Sequence, residues 1–159
     1  MITKECYLRK LEITRGFNAP CIVLIIGKVL IKDIYQVQNL KGNDPLILWH
    51  NKVIDKFPYD LTIADVARCI RQNLFIDTVY EVLLSYLMQD PYIGDLYNGE
   101  LMEKASEVER LVIISHEKII KQILFKAREF INDYNWDDFE DKKEFENSVN
   151  QLEKIIKNG

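Results

Sequence analysis

Apolar residues recur at helical spacing through much of the chain, most regularly between Asp60 and Met102. There Ile63, Val66, Ala67 and Ile70 fall on one face of a predicted helix. Thr62, followed three residues later by Asp65, is the capping-box signal that starts it. A second helix is predicted from near Asp77, with Val79, Leu83, Tyr86 and Leu87 turned inward. Asp90-Pro91 ends that helix, because proline restricts the residue before it and cannot continue the hydrogen-bond ladder. The segment DPYIGDLYNGEL follows, with Tyr92 and Tyr97 interleaved between Gly94 and Gly99. Asn98-Gly99 is a turn pair with no strand pattern on either side, so a loop is expected there rather than a hairpin.

The rest of the chain is less even. Residues 1–18 are mixed, with Tyr7, Leu8, Leu11 and Ile13 fitting either a helix face or a strand. Cys21–Ile26 is apolar and β-branched, the composition of a buried strand. Val29–Leu40 keeps helical spacing through Leu30, Ile34, Val37 and Leu40, while Val29–Ile34 also reads as a second strand. Lys41-Gly42-Asn43-Asp44-Pro45 is a break and the best candidate for a boundary. A short helix from Leu46 to Phe57 is expected to stop at Pro58. A third core helix starts near Leu101, and Val108–Ile113 fits either a helix or a buried strand. A long helix from Ser115 to about Tyr134 carries an apolar stripe of Ile119, Ile120, Ile123, Leu124, Ala127, Phe130 and Ile131. The last helix, Lys142–Lys157, lines Phe145, Val149, Leu152 and Ile156 on one face. The expected fold is mainly α, a compact bundle-like domain of five or six helices. A short N-terminal β-strand pair, giving an α+β fold, is the alternative for the opening residues.

Composition narrows the class. With 159 residues and 48% apolar content, the chain can bury a core of its own as a single domain. Residues 1–44 read as a variable subregion and 46–159 as the helical core. Cys6, Cys21 and Cys69 cannot pair completely and have no metal-ligand spacing, which points to a reducing, cytoplasmic setting. The opening MITKECYLRKLEI scatters its charges, so no secretory leader is expected, and Ala19–Ile26 is too short to span a bilayer. The net charge of −4 is uneven: residues 1–70 sum to +3 and residues 71–159 to −7. An acidic half disfavours direct nucleic-acid binding and favours a basic protein partner, though mild acidity also serves solubility alone.

Candidate chemistry is sparse. His116-Glu117 lacks the second histidine of a zinc-protease helix, since position 120 is Ile120. His50 stands beside Trp49 with no sequence partner and reads as a surface or cap residue. Asp77 and Glu81 share a helix face without a nucleophile. Asp133, Asp137, Asp138, Glu140 and Asp141 lack calcium-loop spacing and read as a hydrated charged loop before a metal site. No catalytic, cofactor or metal residue is therefore assigned.

Two groups suit a protein interface. One is the glycine turn, with Asp90, Tyr92, Asp95, Tyr97, Asn98 and Glu100. The other is the acidic, aromatic loop with Tyr134, Trp136, Asp137, Asp138, Phe139, Glu140 and Asp141. Aromatic rings supply desolvated anchors, and carboxylates meet the cations of a basic partner. The competing reading packs the tyrosines on the bundle and leaves the acids as a solvated rim.

The stretch 60–102 resembles the immunity proteins of bacterial contact-dependent growth inhibition systems. Leu61-Thr62 with Asp65-Val66 matches the helix start of that family, and Ile70-Arg71-Gln72 the end of its first helix. Val79–Leu87 matches its apolar second helix, and Gly94-Asp95-Leu96-Tyr97-Asn98-Gly99-Glu100-Leu101 its glycine turn. Asn98 stands where the family has proline and Glu100 where it has aspartate. The resemblance implies a cytoplasmic, non-catalytic protein that binds and neutralises the C-terminal toxin domain of its cognate system. Such toxins are frequently nucleases with basic surfaces. The expected interface residues are Asp95, Tyr97, Glu100, Tyr134, Trp136, Asp137, Asp138, Phe139, Glu140 and Asp141. A helical adaptor or regulatory module without a toxin partner is the alternative function.

Overall fold

Side-chain caps at Asp44, Thr62 and Asp138 start three of the helices in the computed structural model, which describes residues 28–159. Those residues form eight α-helices and one 3₁₀ turn, with no strand among them. The first compact unit ends at Leu61 and the second spans Thr62–Gly159, so the division lies beyond the Lys41–Pro45 break read from the sequence.

In the first unit, α1 is Ile31–Tyr35 and α2 is Pro45–Ile54. Of the two readings of Val29–Ile34, the helix is the one observed, from Ile31, and the second strand is not. The expected helix to Leu40 is cut short. Gln36 adopts the left-handed conformation (φ 53°), and its own N–H and that of Val37 both return to the Lys32 carbonyl. The proposed first strand, Cys21–Ile26, lies outside the described residues, as do Cys6 and Cys21. The Asp44 carboxylate accepts the Leu46 N–H at 2.8 Å with Pro45 in the first turn, so α2 starts where the break predicts. The Ile31 N–H donates to the Lys56 carbonyl at 3.0 Å, and Lys32 meets Asp55 at 2.7 Å, tying α1 to the end of α2. Pro58–Asp60 forms the 3₁₀ turn.

The second unit contains α3 (Ile63–Arg71), α4 (Ile76–Gln89), α5 (Glu100–Glu107), α6 (Arg110–Ser115), α7 (Glu117–Phe130) and α8 (Phe139–Lys157). The capping box is present in full: Thr62 Oγ1 accepts the Asp65 N–H at 3.2 Å, and Asp65 Oδ2 accepts the Thr62 N–H at 3.1 Å. Val66, Ala67 and Ile70 are buried as the pattern requires, as are Val79, Leu83 and Leu87, while Tyr86 is half-buried. Cys69 is fully buried.

The helix α5 is the hub. It packs against α3, α4 and α8, with Leu101, Met102 and Ala105 buried. Two side chains reach its last carbonyls from neighbouring helices. The Tyr80 hydroxyl donates to the Ala105 carbonyl at 3.1 Å, and Gln151 Nε2 donates to the Ser106 carbonyl at 2.9 Å. These serve the acceptors that a helix C-terminus leaves open. Val108–Ile113 resolves as a turn into the six-residue α6, where Leu111 is exposed and Ile113 buried. The two helices beyond the expected six are the short α1 and α6. The last helix also begins earlier than expected, at Phe139, because Asp138 caps it through the Glu140 N–H at 2.9 Å.

Gly99 precedes α5 at φ +88°, and a Cβ there would lie 2.7 Å from Phe145 Cδ2 on α8. Gly99→Ala therefore faces both left-handed strain and overpacking, together about 3 kcal/mol. Urea unfolding should show that loss. In the Gly99→Ala/Phe145→Leu double variant the two losses should add to less than their sum, because the contact is shared.

Candidate functional site

The glycine turn between α4 and α5 is built on hydrogen bonds to its own backbone. Asp90 Oδ1 accepts the Tyr92 N–H at 2.9 Å, turning the chain as α4 ends. The Gly99 N–H donates to the Tyr92 carbonyl at 2.6 Å and the Leu101 N–H to the Ile93 carbonyl at 3.2 Å, closing the loop. Glu100 then reaches back. Its Oε2 accepts the N–H groups of Asp95 at 2.9 Å and Leu96 at 3.0 Å. Gly94 makes this possible, since a Cβ there would lie 1.9 Å from the Tyr97 carbonyl oxygen.

Tyr97 anchors the other side of the turn. Its hydroxyl donates to Glu103 Oε2 at 2.7 Å, and the Glu103 carboxylate also receives Lys104 Nζ at 2.9 Å. Lys104 is buried and reaches Glu107 at 2.8 Å. Burial and the Glu103 hydrogen bond both push the Tyr97 phenol up, so it stays protonated as the donor of this chain.

The two predicted groups meet in space. Tyr92, rooted by its hydroxyl on the Ala127 carbonyl at 2.7 Å, stacks on Tyr134 with ring centroids 4.2 Å apart. Trp136 packs edge-on against both rings and at 5.1 Å from Phe145. Its indole N–H donates to the Ile131 carbonyl at 3.1 Å. Asn98 Nδ2 donates to Asp137 Oδ2 at 2.9 Å, linking the tip of the turn to the loop before α8. Turn and loop therefore form one surface, floored by four aromatic rings.

On that surface Asp95, Asp137, Asp138, Phe139 and Glu140 are exposed, while Tyr97, Tyr134, Trp136 and Asp141 are half-buried. Glu100 differs: at 1% exposure it is buried inside the turn and holds the loop's amides. Asp90 and Asp133 are exposed at the same edge. The negative field shows in the neighbours. Burial first, then Asp90 and Asp137, raise the Tyr134 phenol; burial, Asp138 and Asp137 raise the Asp141 carboxyl. Glu140 is paired with Lys143 at 3.0 Å. Two apolar side chains stand out of this acidic ground, Leu96 at 69% exposure and Phe139 at 76%. Leu96 escaped the sequence reading because a single leucine in a loop carries no periodicity.

Among the described residues, no group of three or more His, Cys, Asp or Glu side chains converges to hold a metal ion. His116 has its Nδ1 2.8 Å from the Val112 carbonyl and its ring edge-on to Tyr80 at 5.4 Å, a packing arrangement. No described helix is long and apolar enough to cross a membrane.

The described residues thus form a helical scaffold with one acidic, aromatic face. The family model of CDI immunity proteins, CdiI_3, matches residues 31–123, more than half of the chain, and the chain belongs to that family. No curated protein matches it. Its role is accordingly that of a toxin-neutralising immunity protein with a cognate toxin as partner, acting by binding and not by catalysis. The matched region contains the glycine turn and ends within α7, before the acidic loop and α8.

Two outcomes follow from this geometry. Glu100→Ala strands two amides and should cost about 1–3 kcal/mol, whereas Glu100→Gln keeps an acceptor and should cost less. Hydrogen exchange at the Asp95 and Leu96 amides should quicken in the alanine variant first. The Tyr92 phenol is pushed up to about 12, by burial first and Asp90 second. The folded chain thus keeps a proton that the unfolded chain sheds near pH 10, so stability should fall as pH rises from about 10 through 12. Denaturant titrations across that range should show a shallower fall for Tyr92→Phe.

Proposed function

We propose that this immunity protein neutralises a basic toxin domain, a nuclease, by laying the face formed by the glycine turn and the 131–138 loop against the toxin's cationic surface. We place this event in the cytoplasm of the protected cell. The observation that carries the reading is the junction of the two acidic segments through Asn98–Asp137 and the Tyr92–Tyr134 stack. It gathers Asp90, Asp95, Asp133, Asp137, Asp138 and Glu140 on one exposed surface.

A nuclease must attract phosphates, so its working surface is cationic, and an acidic face steers towards it and competes with nucleic acid for it. Steering alone gives rate rather than affinity, and affinity needs anchors that exclude water. Half-buried Tyr134 and Trp136, held by the ring cluster, supply rigid contact area at low entropic cost. Glu100 has a supporting role in this reading, since it holds the turn that presents Asp95. The acidic loop lies outside the segment matched by the family, which suits the part of the surface that must differ between toxins.

The test is titration against the cognate toxin domain with nucleic-acid cleavage as a second readout. Wild type should form a 1:1 complex and abolish cleavage. Asp95→Lys/Asp137→Lys should weaken the complex about 10–100-fold, mainly through the association rate, with a flatter salt dependence. Unchanged affinity and salt slope in that variant would move the interface off this face. A toxin with no nuclease activity would remove the nuclease assignment.

A further inference from the structure

The helices α7 and α8 leave a second surface, apolar at its floor and mixed in charge at its rim, where Glu153 sits among the cations. A groove of about 350 Å³ runs between them, with Leu124, Phe125 and Ile156 as its apolar lining and Lys121, Arg128 and Lys157 at its rim. Phe125 is 75% exposed, although it sits mid-helix where a polar residue would cost nothing. Arg128 spans the groove to Glu153 at 3.1 Å and to Asn150 at 2.6 Å.

The chain itself carries the matching shape. Phe139 projects from the start of α8 with 76% of its surface exposed, between the carboxylates of Asp138 and Glu140. It cannot reach its own groove, because Phe139 and Lys157 stand at opposite ends of a helix roughly 28 Å long. They do share one face: the separation from 139 to 157 is about five whole turns. Two copies of α8 laid antiparallel about a two-fold axis between Glu146 and Asn150 bring each Phe139 beside the other copy's Ile156 and Lys157. The same register sets Lys143 opposite Glu153. The acidic first turn of each helix then meets the basic last turn of its partner. Both knobs and both grooves are filled, so the assembly closes at two.

We propose that the occupant of this groove is a second copy of the chain, paired through α7 and α8 as an isologous dimer. Two-fold self-pairing is the commonest way for such a patch to be covered without open-ended growth. Ion pairs already formed on this face, such as Lys143–Glu140 and Arg128–Glu153, lie at the surface and exchange at little cost. Phe139 and Glu140 also lie on the face proposed for the toxin, so self-pairing and toxin capture are alternative uses of the same end of α8. The dimer itself does not depend on the toxin reading.

Sedimentation equilibrium of the full chain without toxin, from low to high micromolar concentration, tests this. The expected result is a monomer–dimer equilibrium. Phe125→Glu places a carboxylate against the partner's Glu140 and should leave only monomer. Lys157→Glu should weaken pairing about tenfold, and adding Glu140→Lys should recover most of that loss. All three sites are exposed, and circular dichroism should show each variant folded. A chain that stays monomeric throughout, a dimer indifferent to Phe125→Glu and Lys157→Glu, or growth beyond two copies would each overturn the proposal.

Discussion

A carboxylate shut inside a loop sets the geometry of the acidic face. Burying a charge without partners is costly, and Glu100 has its partners in the two amides of Asp95 and Leu96. Because those amides belong to the segment just before it, the carboxylate folds the turn back onto the start of α5. That fold requires Gly94, where any side chain would strike the Tyr97 carbonyl, and Gly99, where the chain turns left-handed against Phe145. Phe145 in turn supports Tyr92 and Trp136. The glycines, the buried acid and the ring cluster thus form one interdependent unit. The exposed aspartates project from a rigid base.

Much of this was legible from the residues. The Thr62–Asp65 pair, the Asp90-Pro91 stop and the inward stripes of α3 and α4 are local signals, and local physics decides them. The apolar stripe of α7 is buried at Ile120, Ile123, Leu124 and Ala127 and continues to Ile131, while Phe130 is half exposed. The failures have nameable causes. The run 137–141 is too acidic to suggest a helix, yet Asp138 caps one there and the acids of the first turn suit its dipole. The helix expected over Val29–Leu40 stops at Tyr35, because Gln36 turns left-handed and closes the chain on the Lys32 carbonyl. Val108–Ile113 is too short for its period to decide between forms.

Glu100 shows the limit most clearly. In the sequence it is one more acid in an acidic turn, equivalent to Asp95. Only the folded loop separates the two: one faces water and the other holds the backbone. The convergence of residues 90–100 with 131–145 was equally hidden, because ring stacking across such a separation leaves no periodic mark. Charge imbalance between the halves signalled that a negative surface exists but not that the two acidic segments share it.

The position of Trp136 has an experimental consequence. Its indole is half-buried among Tyr92, Tyr134 and Phe145, directly before the exposed Asp137. Indole emission shifts colour when surrounding water is displaced, so this ring is an intrinsic optical reporter at the edge of the acidic surface. A chain with Trp49 replaced by phenylalanine would signal occupancy of that surface by fluorescence, with no dye attached.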